Sequence, residues 1–207
     1  MAFPLLFCVA EEAKAFAHKM AKMEMPGGGP KVFYLVKSRH LEKTADCRAQ
    51  LEQGIDSDAD FHTNFIGASI KDCQDWALQN TQDCNNIESS VVAVADTRSA
   101  KDGTLLLSKY NVSSGGQLFF CRFGPLPPED ETCYEWRIKP DINDNAYLMM
   151  SDLSDCGEPD SAYPVYYGSQ NKFTDTDGVF DVTEARRFVT SEDADVLQSD
   201  IRRWLED

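Results

Sequence analysis

Positive charge is scarce in this chain: 20 Lys and Arg stand against 35 Asp and Glu among 207 residues, a formal net charge of −15. Such a field repels phosphate backbones and anionic lipid surfaces, which argues against nucleic acid and membranes as partners. Histidine is scarcer still. His18, His40 and His62 are isolated in sequence, no His-Glu-x-x-His element occurs, and no spacing marks a local metal or acid/base site. No stretch approaches the roughly 20 apolar residues of a membrane-spanning helix. The apolar run Phe3 to Ala10 has no basic residue before it and Glu11-Glu12 directly after it, unlike a signal peptide. There is no Gly-x-Ser-x-Gly elbow, and the Gly27-Gly28-Gly29 run lacks the Lys-Ser/Thr of a phosphate-binding loop.

Cysteine is present but unpatterned. Seven cysteines are scattered with no pair at the two-residue spacing of zinc or thioredoxin-like sites. Odd number and scatter fit a reduced, cytoplasmic protein, the alternative being a secreted one in which six pair and one thiol is left free. Cys121 is read as a small buried hydrophobe in a strand, because alternation puts Arg122 on the opposite face and removes the cation that would activate its thiol.

What is there suffices for a core. Hydrophobic residues make up 42% and aromatics 11%, too many for a disordered chain despite the charge. Apolar recurrence from Pro4 to Met20 predicts an N-terminal helix over residues 4–24, followed by a linker at 25–30. Lys31 to Lys37 reads as a buried strand, 40–53 as a helix, Phe61 to Ala68 as a strand, Lys71 to Asn80 as a helix and Ser90 to Ala95 as a strand. Strands joined by polar turns follow at Thr104–Tyr110, Gln117–Phe123 and Tyr134–Lys139, then a helix at Asp144–Leu153. The expected architecture is α/β: a mixed sheet flanked by helices in one domain over 1–153. Residues 154–207 would form a connector, an acidic loop and a C-terminal helical tail packed on that domain.

The acidic loop is the most specific motif. Residues 173 to 184 match a twelve-residue calcium loop with Asp175 and Asp177 at positions 3 and 5, Gly178 at the sharp turn of position 6, Asp181 at position 9 and Glu184 at position 12. Val179 would offer its carbonyl from position 7. A hard cation needs six to eight oxygens, and carboxylates alternating along a tight loop can converge on it. Phe173 removes the first-position carboxylate, and Pro164 with Gly168 is expected to interrupt an incoming helix. Calcium, bound weakly, is the one cofactor expected.

A second constellation is Asp96 with Arg98, directly after a predicted buried strand. In open α/β sheets ligands lie beyond the carboxyl ends of strands, where Asp96 could act as a base and Arg98 as an anion clamp. The simpler reading is an Asp–Arg turn pair that caps the strand. Tyr163, Tyr166, Tyr167 and Phe173 crowd the connector, either as an adhesive patch or as rings that dock the tail.

The succession Ser90-Val-Val-Ala-Val-Ala-Asp-Thr-Arg98, Trp136-Arg-Ile-Lys-Pro140 and Asn145-Ala-Tyr-Leu-Met-Met-Ser-Asp-Leu153 resembles a family of uncharacterised domains in actinomycete and fungal hypothetical proteins, over about residues 31–153. Met150-Ser151-Asp152-Leu153 departs from that family's ending. The resemblance implies a fold and no activity. The expected function is an acidic intracellular interaction protein with a protein partner and a degenerate EF-hand-like calcium loop. The alternative is a cofactor-independent small-molecule enzyme, an isomerase, cyclase or lyase, with a pocket near Asp96 and Arg98.

Overall fold

The computed structural model describes residues 3–42, 50–51, 61–81, 84, 87–110, 120–121, 124–125, 133–141, 144–154, 162–168 and 170–190. It is an α/β fold built on a five-stranded mixed sheet. The strands are β1 (Phe3–Cys8), β2 (Tyr34–Val36), β3 (Ile87–Ala95), β4 (Leu105–Tyr110) and β7 (Cys133–Ile138), in the order β2-β1-β3-β4-β7. β1 runs parallel to both β2 and β3, whereas β4 is antiparallel to β3 and to β7. A separate two-stranded ribbon joins β5 (Phe120–Cys121) to β6 (Gly124–Pro125).

The first correction concerns the N-terminus. Residues 4–24 are not one helix: Phe3–Cys8 is the strand at the centre of the parallel half. A 3-10 turn at Glu11–Ala13 then leads into α1 (Lys14–Ala21). All six residues of β1 are buried, Leu6 and Cys8 in the core on one face and Phe3, Leu5 and Phe7 in the core on the other. A parallel strand covered on both faces reads as a continuous apolar run without alternation, so its sequence mimics an apolar helix stripe. Pro4 is accommodated where the β1–β3 register shifts, between Pro4 and Leu5. The 25–30 segment is a tight turn: Met25 N–H donates to Pro30 O at 2.9 Å, and Glu24 and Lys31 form an antiparallel bridge.

The second correction is that Phe61–Ala68 forms turns instead of a strand. It lies across the carboxyl ends of β1 and β2, where Asn64 N–H donates to Lys37 O (2.9 Å) and Gly67 N–H to Val9 O (2.8 Å). Phe65 is fully buried beneath it, edge-on to Phe7 at 4.8 Å and to Trp76 at 5.7 Å between ring centroids. Trp76 belongs to α2 (Ile70–Thr81), which covers this face.

Beyond β3, α3 (Thr97–Asp102) leads into β4, and α4 (Asn145–Ser154) follows β7. Helical turns α5 (Tyr163–Gly168) and α6 (Gln170–Phe173) lead into the acidic loop, and α7 (Val182–Thr190) leaves it as part of the helical tail. Pro164 does not break α5, because it falls in the first turn, where a missing N–H costs nothing. Trp136 Nε1 donates to Tyr166 O at 3.2 Å, Tyr166 donates its hydroxyl to Asp152 at 2.5 Å, and Arg186 pairs with the same carboxylate. Burial, with the Asp152 charge beside it, drives the Tyr166 phenol well above its usual range. Tyr163 and Tyr166 are buried, so these rings dock the segment, while Tyr167 is half-buried and meets Tyr134 edge-on at 4.9 Å.

Cys8, Cys73 and Cys133 are free, but Cys84 is disulfide-bonded, which departs from the expectation of wholly reduced thiols. Of the helix expected at 40–53, residues 40–42 are not helical, 50–51 are helical and the rest lie outside the described residues, as do the side chain of Cys121 and residues 191–207 of the expected tail. No helix among the described residues is long and apolar enough to cross a membrane.

Candidate functional site

Asp96 ends β3 and starts α3. Its carboxylate accepts from Ser99 N–H at 2.9 Å while Ser99 Oγ accepts from Asp96 N–H at 3.1 Å, a reciprocal cap on the helix. Arg137 on β7 donates to both of its oxygens, at 3.1 Å and 2.5 Å. Burial pushes the Asp96 carboxyl up, but the Arg137 and Ser99 hydrogen bonds outweigh it and hold the group below the usual carboxylate range. A carboxylate stabilised in its charged form and already accepting from Ser99 and from both Arg137 Nη groups is a poor general base.

Arg98 points its guanidinium elsewhere. Nε donates to Asp102 at 2.7 Å, and Nη2 donates to the carbonyl oxygen of Asp177 at 2.6 Å. The two residues singled out after β3 therefore do not face one another. Arg98 instead joins α3 to the acidic loop, 79 residues away in sequence. Nothing local in the sequence announces that contact.

The loop has its expected backbone. Gly178 sits at φ 73°, the left-handed conformation that position 6 demands, and α7 begins at position 10. Phe180 is buried, and its N–H donates to Arg137 O at 2.7 Å, which fastens the loop to the free edge of β7. Asp175 Oδ1 accepts from the N–H groups of Asp177 (2.9 Å) and Val179 (2.8 Å), Asp181 caps α7 by accepting from Glu184 N–H (2.9 Å), and Glu184 pairs with Arg187. Val179 O accepts from Asp175 N–H at 2.9 Å. Most of the expected calcium ligands thus serve the loop's own hydrogen bonding. Phe173 at position 1 packs against Phe180 and Phe188, with ring centroids 6.2 and 5.9 Å away. Among the described residues no three His, Cys, Asp or Glu side chains are grouped so as to hold a metal ion.

Two clefts flank the loop. One, of about 330 Å³, is lined by Lys139, Asn145, Asp175, Asp181, Thr183 and Glu184 among others. The other, of about 440 Å³, is lined by Arg98, Lys101, Asp102, Thr104, Lys139, Asp175 and Asp177 together with Val179. Lys139, Asp175 and Val179 belong to both, so the clefts meet over the end of β7. Asn145 and Thr104 are buried at their floors: Asn145 Oδ1 accepts from Thr183 (3.1 Å), and Thr104 donates to Asp102 (2.5 Å). Sequence reasoning misses Lys101, Lys139 and Thr104, because they come from three elements that only the antiparallel pairing of β4 with β7 brings together.

The histidines play no part in this site. His18 is buried on α1, while His40 and His62 are exposed on loops. No protein-family model, no curated protein and no solved structure matches this chain.

Proposed function

We propose that this chain is a binding protein whose working surface is the acidic loop with its two clefts, at the antiparallel edge of the sheet. The observation that carries the reading is the fastening of the loop to that edge: Phe180 to β7, and Arg98 from α3 to the loop's turn. A loop ordered by its own scaffold presents its carboxylates with less entropy left to lose on binding, which favours affinity. The net charge favours a protein partner with a basic surface and disfavours nucleic acid and anionic membranes.

Calcium remains part of this proposal as a weak ligand of Asp175, Asp177, Asp181, Glu184 and the Val179 carbonyl. The αL turn at Gly178 and the helix start after Asp181 support it. The ion must displace capping hydrogen bonds worth about 1 kcal/mol each, and it meets no first-position carboxylate, which sets the affinity near the millimolar end. Thermal unfolding of the metal-free protein with calcium, and with magnesium as control, tests this. Saturable stabilisation by calcium alone, abolished by the pair Asp177→Ala and Glu184→Ala, is expected. The same rise in that double variant removes the assignment.

A cytoplasmic location stays part of this proposal on the odd, scattered cysteines, and the disulfide at Cys84 is the observation that weighs against it.

A further inference from the structure

We infer that the cleft between α3 and the acidic loop is an anion subsite, which takes a carboxylate or phosphate group of a ligand on Lys139 and Lys101. This rests on the reading that the antiparallel edge is the working surface, and it names the chemistry that surface accepts beside a basic partner.

The fold already uses most of the other charges in this cleft. Asp102 is consumed: it accepts from Arg98 on one oxygen and from the Thr104 N–H and hydroxyl on the other. Asp175 keeps its charge but turns one oxygen to two backbone N–H groups of its own loop. Among the described residues the side chains of Lys101 and Lys139, both exposed, have no ion-pair or hydrogen-bond partner, although the chain has 35 carboxylates and only 20 Lys and Arg. The lining holds three cations, Arg98, Lys101 and Lys139, and three carboxylates, Asp102, Asp175 and Asp177; of the carboxylates only Asp177 makes no hydrogen bond through its side chain. Among the described residues Lys22 and Lys31 also lack a side-chain partner, but only Lys101 and Lys139 line one cleft together.

Geometry supports the same assignment. Arg98 is fixed through Nε and Nη2, which leaves Nη1 near the Gly178 turn as a third donor held by its neighbours. A cleft of about 440 Å³ lies in the size range of small-ligand sites. Lys139 also borders the second cleft, so a ligand whose anionic end rests on Lys139 has room to extend toward Asn145 and Thr183. Charge-assisted hydrogen bonds from ammonium groups to oxyanions are about twice as strong as neutral ones, so losing one lysine should be felt.

The experiment is thermal unfolding of the full-length, metal-free protein at fixed ionic strength, titrated with inorganic phosphate and, separately, with acetate, in wild type, Lys139→Gln and Lys101→Gln. Sodium chloride at matched ionic strength serves as the blank, and Lys71→Gln, which removes an exposed lysine paired with Asp75, as the remote control. The expected result is saturation by at least one oxyanion at or below low millimolar concentration, weakened about tenfold in Lys139→Gln and less in Lys101→Gln, and unchanged in Lys71→Gln. Response to phosphate alone assigns a phosphorylated ligand, and response to both assigns the shared oxyanion chemistry. Shifts that chloride reproduces, or that persist in both cleft variants, overturn the inference. Calcium stabilisation that survives alongside such a failure leaves the binding surface standing and sinks only the anion subsite. Loss of the calcium response with oxyanion saturation intact does the reverse.

Discussion

The two halves of the sheet end in opposite ways. At the parallel half, β1 is followed by a helix on one face and β2 leads to α2 on the other, which creates the crevice where open α/β sheets hold ligands. In this chain the crevice is filled from within: Phe65 drives into it, and backbone hydrogen bonds from Asn64 and Gly67 close it. At the antiparallel half, the free edge of β7 is met by a loop anchored through buried Phe180 and a few polar contacts, with clefts left on both sides. Topology alone points to the parallel crevice, which Phe65 occupies, so what the loops do with the strand ends decides where open clefts remain.

Emptying the plugged crevice should cost the most stability. Phe65→Ala removes a ring in edge-on contact with Phe7 and Trp76 and should cost about 3–5 kcal/mol in denaturant unfolding, while the calcium response of the loop persists in the folded fraction. Loss of the calcium response in folded Phe65→Ala protein would tie binding to the crevice instead of the loop.

Next in size is Asp96→Ala, which strips the cap from α3 and leaves Arg137 without its carboxylate. About 3 kcal/mol is expected, measured as a fall in the unfolding midpoint. The Asp96 carboxyl titrates below its unfolded value, so its contribution is present above the ordinary carboxylate pKa and is lost as pH falls through the lower folded one. The variant should therefore show a flatter loss of stability on acidification than wild type, and an unchanged acid limb would remove the ion pair from the account.

Arg98→Ala should cost less, about 1 kcal/mol, because its pair with Asp102 is partly exposed and the main loss is the bond to Asp177 O. Its diagnostic effect is local. Amide exchange over 175–179 should quicken while β1 and β3 stay protected. Smallest of all, Lys139→Gln should change stability by no more than about 0.5 kcal/mol and still weaken the oxyanion response.

Much of the sheet is legible in the sequence. β3, β4, β7, α2 and α4 follow from apolar runs bounded by turn residues, to within a few positions. β1 escapes such a reading because a strand buried on both faces has no period, and Phe61–Ala68 because a buried aromatic in a turn resembles a strand residue. α3 escapes it too, since six residues are too few to show helical recurrence, although Asp96 and Ser99 spell its cap. The loop's backbone is readable from Asp175, Gly178 and Asp181. Its attachment is not, because Arg98 and Arg137 reach it from elements far away in sequence.

The binding surface is tested most directly by amide hydrogen exchange of the full-length protein with and without saturating calcium. Slowed exchange confined to residues 173–190, with residues 61–68 unchanged, is the expected pattern. Protection that appears at 61–68, or none at 173–190, would place binding away from the antiparallel edge and contradict its role as the working surface.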